Sequence, residues 1–274
     1  MTPPRSTTWW QRAREEFGSW PPTPTSHVVP VEPVECPAII VRRRRVVAGV
    51  WLLGTGLLGT SLSTRPGSTQ FYGLTAALAV NWTAGGLLSG PLHLGWTQSH
   101  DQRLHRPIGT PVATGVAAFT FFYGCSLVAR KVSVLDRAIG NVLAFTGEGS
   151  TPIILATTLA NGLGEEVFFR GALYAALDPD RAVVVSTAAY ILATASTRNP
   201  ALVLAAALMG TLFSLQRRAS GGLQAPALTH LTWSTLMVCC LPPLFRRAHR
   251  ATRSAPRCVL GRVQSAGVTT TKGA

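Results

Sequence analysis

Between residues 46 and 245 the chain runs through long apolar blocks from which almost every ionisable side chain is missing. A helix needs ~20 apolar residues to cross the hydrocarbon core of a bilayer, so this stretch has room for about eight spans joined by short loops. The blocks cover residues 46–63, 71–96, 108–129, 132–145, 152–177, 182–196, 201–216 and 223–245. Their Leu, Ala, Val and Gly residues follow one another without the in–out alternation of a membrane β-barrel strand. The expected fold is all-α: a polytopic transmembrane helix bundle of about eight spans.

Composition supports the same class. Charged residues make up 13% of the 274, about half the roughly 25% usual in soluble domains, and the mean hydropathy is +0.26. So apolar a chain is not intrinsically disordered. The 25 Lys and Arg outnumber the 11 Asp and Glu, a formal charge of +14. That balance would suit nucleic acid if it formed one basic face. Instead the charges sit at the ends and between apolar blocks, in the arginines at 42–45, Arg217, Arg218 and the tail from Arg246 to Lys272. No nucleic-acid partner is expected; the partner is the lipid bilayer.

The first 45 residues are rich in proline and hold no apolar run, so no cleavable signal peptide is read there. Trp9, Trp10, Phe17 and Trp20 are candidates for contact with the membrane interface. Four arginines before the first apolar block place that end in the cytoplasm, and the acid-free basic tail places the other end there too. Two inner ends require an even number of crossings. The chain thus divides into a tail at 1–45, a transmembrane domain at 46–245 and a basic tail at 246–274. The block 132–145, short and carrying Asp136 and Arg137, lies along the interface or makes a thin crossing. Two basic pairs, Arg130–Lys131 and Arg217–Arg218, fall on the outer side under this count. High arginine use, with only Lys131 and Lys272 as lysines, suggests a GC-rich bacterial genome and hence a bacterial cytoplasmic membrane.

Neither metal nor cofactor is expected. Five cysteines (Cys36, Cys125, Cys239, Cys240, Cys258) show no CxxC spacing. His93, His100 and His105 lack the spacing of a helical zinc pair, and no HExxH, P-loop or dinucleotide fingerprint occurs. Cys258 is followed by too many residues to be a prenylation box.

The ionisable residues that do remain inside apolar blocks are informative. The clearest set is Asn161-Gly-Leu-Gly-Glu165-Glu166-Val-Phe-Phe-Arg170-Gly171. A charge at the centre of a membrane helix costs ~2.5–3.5 kcal/mol on insertion scales, and such groups persist where they pair or line a wet cavity. Glu166 and Arg170 are four apart with the acid first, the favourable order for a helical ion pair. Glu165 points about a hundred degrees away and has no local partner. An unpaired, partly desolvated carboxylate suits proton transfer as a general base or acid. Glu166–Arg170 therefore reads as a structural clamp and Glu165 as the working group. Near the start of the last block, His230 and Ser234 share one helical face, where they could hold a water or a polarised carbonyl.

Glu165-Glu166-Val-Phe-Phe-Arg170 resembles the EExxxR motif of the CAAX-protease and bacteriocin-processing (CPBP, Abi-type) membrane proteins, a family of intramembrane glutamate endopeptidases. Residues 210–234, a glycine-containing helix, a basic-Gly loop and then His230-Leu-Thr-Trp-Ser234, resemble its later motifs. The likeness implies a CAAX-protease-like core over 152–244. In that family the first glutamate and a histidine of an FxxxH motif activate water, while a later histidine and asparagine stabilise the oxyanion. Glu165 would then be the base and His230 an oxyanion donor, with Ser234 in the asparagine's place and Glu166 and Arg170 in support. At FxxxH this chain reads Tyr190-Ile-Leu-Ala-Thr194, with tyrosine for phenylalanine and threonine for histidine. Threonine binds a water but does not take its proton near neutral pH. Loss of a general-base partner typically costs about 10²–10⁴-fold in rate.

Three functions fit this pattern. The first is a metal-independent endopeptidase acting on a membrane-associated or prenylated-type peptide. The second is a catalytically impaired relative serving as a scaffold, maturation or immunity factor. The third is a small transporter with Glu165, Glu166 and His230 on its ion path; the absence of an internal repeat counts against it.

Overall fold

The structure, a computed structural model, describes residues 37–98, 104–147 and 150–245. The proline-rich segment with Trp9, Trp10, Phe17 and Trp20, the tail 246–274, Cys36, His100 and Cys258 lie outside the described residues. The helices are α1 Pro37–Ser61, α2 Thr69–Leu88, α3 Gly109–Ala129, α4 Ser133–Gly147, α5 Thr151–Glu165, α6 Pro179–Ala195, α7 Pro200–Ser220 and α8 Gln224–Cys240. α5 continues without a break into a π-helical segment, Glu166–Leu173. A two-residue antiparallel hairpin, Thr97–Gln98 with Leu104–His105, interrupts the all-α pattern between α2 and α3.

Each of the eight apolar blocks becomes a helix, and the molecule is an all-α membrane bundle. α3, α7 and the stretch Gln224–Phe245 are long and apolar enough to cross a membrane. Large apolar side chains are exposed around the bundle, among them Leu52, Val80, Leu88, Phe121, Val184, Leu192 and Leu204. An outer surface of this kind suits lipid and not water.

Short turns with local caps separate the helices. The Ser68 hydroxyl accepts from the Phe71 N–H at the start of α2. Asp178-Pro179 and Asn199-Pro200 open α6 and α7, each combining a side-chain cap with a proline in the first turn. Proline lacks the N–H that a first turn leaves unpaired, and its fixed φ already suits the helix. Gly221 (φ 67°) ends α7 in the left-handed conformation, which glycine adopts without steric cost.

Two boundaries differ from the sequence reading. α1 begins at Pro37 and takes in the arginines at 42–45. Arg43 is fully buried, donating to the Ser89 hydroxyl at 3.4 Å and the Pro91 carbonyl at 3.1 Å. Arg44 donates to the Ala176 carbonyl at 3.0 Å. Arginine is a good helix former, and these carbonyls satisfy it inside the fold. α2 stops at Leu88 instead of running to Trp96, because Gly90 (φ 145°), Pro91 and Gly95 (φ 85°) break the helix.

The segment after α2 docks on the α7–α8 turn. Trp96 N–H donates to the Ser220 carbonyl at 2.8 Å, while Leu223 and Gln224 N–H donate to the His93 and Leu94 carbonyls at 3.0 Å each. Arg106 covers the Trp96 ring at 3.8 Å. Gly222 lies directly against the backbone of Leu94 and Gly95, leaving no room for a Cβ.

The core centres on Trp82 of α2, whose ring packs 4.6 Å from Phe168 and 5.1 Å from Phe169. Val47, Leu78, Ala172, Leu173, Ala176 and Ala193 complete it. Every residue of the π segment is buried, so α1, α2 and α6 close around it.

Gly222→Ala should cost about 1–3 kcal/mol or more by overpacking against immovable backbone. It should lower the melting temperature and the monodisperse yield on size exclusion. Gly49→Ala, which meets open space, should do neither.

Candidate active site

Glu165 is the last residue of α5 and Glu166 the first of the π segment. Beside them lies a cavity of about 570 Å³. Its polar end is walled by Glu165 and Asn161 of α5, Tyr190 and Thr194 of α6, and His230 and Ser234 of α8. The rest is mostly apolar, with Leu135, Ile139, Val142 and Leu143 of α4 on one side. The short block at 132–145 thus forms a wall of the cavity. The Asn199 side-chain amide ties it to α7 through a 2.8 Å bond to the Ala138 carbonyl.

The two glutamates face different partners. Glu166 has no exposed surface. Its Oε1 receives Arg170 Nη1 at 3.3 Å and lies 2.9 Å from His230 Nδ1. Arg170 also donates to the Gly210 carbonyl of α7 at 3.0 Å, and Arg217 Nε donates to the Arg170 carbonyl at 2.8 Å. Neither Glu166 nor Arg170 lines the cavity; they stand behind its wall. Glu165 is half-buried and accepts the Tyr190 hydroxyl on Oε2 at 2.7 Å.

The expected lack of a partner for Glu165 is therefore not found. Its partner comes from another helix, which spacing along α5 cannot reveal. The spacing argument also assumed regular α geometry, whereas the backbone widens into π turns at Glu166. Such local widening is frequent at functional sites.

His230 is held on three sides. Glu166 takes Nδ1, the Phe213 ring stacks on it at 4.7 Å and 22°, and the edge bearing Nε2 faces Gly162, where a Cβ would sit 3.4 Å from Nε2. A carboxylate on Nδ1 fixes the ring's orientation and the proton on that nitrogen. Ser234, one turn later, is buried on the same cavity wall. Thr194 also lines the cavity, but its hydroxyl donates to the Tyr190 carbonyl of its own helix at 2.9 Å.

The sequence reading missed the Tyr190 hydroxyl and the Phe213 stack. Both depend on how α6 and α7 pack, and neither carries a local spacing signal. Among the described residues, no group of three or more His, Cys, Asp or Glu side chains is placed to share a metal ion.

Residues 147–236 match the protein family described as type II CAAX prenyl endopeptidase Rce1-like. Over this segment, about a third of the chain, the sequence is similar to the CAAX-protease family. The match covers α5, the π segment, α6, α7 and most of α8. It supports a CAAX-type intramembrane protease at the level of the family, and an integral membrane protein. No curated protein and no solved structure matches the chain.

The two carboxylates should respond differently to substitution. Glu166→Gln removes the counter-charge of a buried arginine, a change that typically costs about 3–5 kcal/mol, so the yield of folded protein in membranes should fall sharply. Glu165→Gln keeps an acceptor for Tyr190 and should express as the wild type. Fluorescence size exclusion of the two variants checks this, and the opposite pattern would reverse the assignment.

Proposed function

We propose that this protein is a metal-independent endopeptidase in which Glu165 activates a water for attack on a peptide bond of a membrane-associated or prenylated-type substrate. The observation that carries the reading is the shared wall. Glu165 from α5 and His230 from α8 border the polar end of one cavity whose remainder is apolar enough for a lipid-like chain.

A water on the free oxygen of Glu165 gives up a proton to the carboxylate as its own oxygen bonds to the carbonyl carbon. The carbonyl electrons move onto oxygen, and donors are needed where that charge develops. His230, its ring oriented by Glu166 at Nδ1, and the Ser234 hydroxyl one turn on supply the polar groups on this wall. The proton on Glu165 then passes to the amine as the C–N bond breaks. Supporting this step, Glu166 and Arg170 hold the ring and backbone from behind. In the same reading, both ends of the chain face the cytoplasm and the helices from α1 onward form the transmembrane domain in a bacterial cytoplasmic membrane, following the positive-inside rule.

One observation favours a second reading. The hydroxyl of Thr194, where the resemblance sets a histidine, is engaged with its own helix and does not act as a base. A catalytically impaired relative would use the cavity to hold a partner as a scaffold, maturation or immunity factor.

The test uses the full chain in liposomes with an internally quenched peptide bearing a farnesylated cysteine. On the protease reading, the wild type cleaves it, Glu165→Gln and His230→Ala lower the rate at least about 10²-fold, and EDTA leaves it unchanged. On the scaffold reading nothing cleaves, and the wild type and Glu165→Gln retain the farnesylated peptide equally.

A further inference from the structure

Resting on the protease reading, we infer that Tyr190 is a positioning residue for Glu165, its hydroxyl supplying from one helical turn earlier the polar contact that a histidine at position 194 would otherwise make. The two departures from the FxxxH pattern, tyrosine at 190 and threonine at 194, are then one compensated change.

The geometry carries this in three ways. First, the Tyr190 hydroxyl donates to Glu165 Oε2 at 2.7 Å, a well-formed O–H···O hydrogen bond. Holding Oε2 leaves the other carboxylate oxygen for the water and fixes the carboxylate plane toward the cavity that both residues line. Second, the hydroxyl has little freedom to wander. The ring of Tyr190 packs edge-on to Phe169 at 4.9 Å and 66°, with the Arg170 guanidinium 4.7 Å from its centroid. On the α7 side it presses so closely on Gly210 that a Cβ there would lie 3.0 Å from the ring. Third, Thr194 does not perform this role, because its hydroxyl is bound to the Tyr190 carbonyl. A phenylalanine at 190 fills the same space but leaves Glu165 without the donor.

Arg170 thus serves both acids. It pairs with Glu166 directly, and it packs on the ring that delivers a hydroxyl to Glu165.

A double-mutant cycle on the full chain in liposomes tests the inference, with the farnesylated quenched peptide as substrate. Tyr190→Phe, Thr194→His and the double variant are compared with the wild type. Tyr190→Phe should lower kcat by at least about 10-fold with KM within about twofold, as expected for a group that acts on the reacting carboxylate and not on substrate binding. Thr194→His should restore most of the lost kcat in the Tyr190→Phe background, a larger gain than it gives in the wild type, a non-additive pattern. A second measurement does not depend on turnover: dicyclohexylcarbodiimide labelling of Glu165, located by mass spectrometry. A carboxylate released from its hydrogen bond should react at least about threefold faster in Tyr190→Phe.

Unchanged kcat in Tyr190→Phe, or equal gains from Thr194→His in both backgrounds, would overturn the compensation. Unchanged labelling would overturn the contact itself. If no variant cleaves while labelling still accelerates, the protease reading fails and the positioning role falls with it. That outcome is distinct from one in which the wild type and Tyr190→Phe cleave equally.

Discussion

A carboxylate with no exposed surface must draw all its stabilisation from the protein, and Glu166 draws it from two parts of the fold. Arg170 reaches it from one turn along the π segment, and His230 from α8. Arg170 is in turn tied to the Gly210 carbonyl of α7, and Arg217 of α7 is tied back to the Arg170 carbonyl. One buried charge thereby links the π segment, α7 and α8. Two such groups without each other would be far too costly at membrane depth; together, and hydrogen-bonded, they are a specific fastening.

The fastening works because the π segment is immobilised on its other side by apolar packing. Phe168 and Phe169 lie against Trp82, with Val47, Leu78 and Ala193 around them. Small residues let the helices approach: Gly54 accommodates the Trp82 ring, and Gly164 faces the Trp82–Thr83 turn. Side-chain to backbone bonds add to this, from Ser186 to Phe169, from Trp51 to Ala189 and from Asn161 to Thr75. Bonds of this kind and close small-residue packing hold helices together where lipid removes the hydrophobic drive to associate. The rigid result places Glu165 at the cavity while Glu166, its neighbour in sequence, stays behind the wall.

For the chemistry, the consequence is a division of labour between adjacent identical residues. Glu166 is consumed in structure and in orienting His230, whereas Glu165 keeps a face on the cavity and has one neutral donor, Tyr190. The hydroxyl of Thr194 is turned back onto its own helix. What the site retains is a carboxylate, an oriented imidazole and a serine hydroxyl around a mostly apolar space. On the proposed reading, that combination serves hydrolysis of a bond presented by a lipid-like ligand.

Much of this was legible in the amino-acid order alone. Uninterrupted apolar blocks dictated helices, because a chain in lipid must satisfy its own backbone hydrogen bonds. The turn ahead of the last helix was marked by its basic-Gly loop at Gly221 and Gly222. Glu165, Glu166, Arg170 and His230 stood out as polar groups that lipid would reject, and the i, i+4 spacing of Glu166 and Arg170 announced their pairing. Contacts across long separations were not legible. That Arg43 turns inward to Ser89 and Pro91, that Tyr190 reaches Glu165, and that His230 binds Glu166 instead of facing Glu165 alone all follow from how helices distant in sequence pack. Periodicity reports which face of a helix is apolar, but not which helix comes to lie against it. Nor does it show where the backbone widens into π turns. The sequence by itself thus determined the helices and the polar groups that had to be buried; the tertiary structure alone decided their partners, because a partner is set by geometry in three dimensions and not by spacing in one.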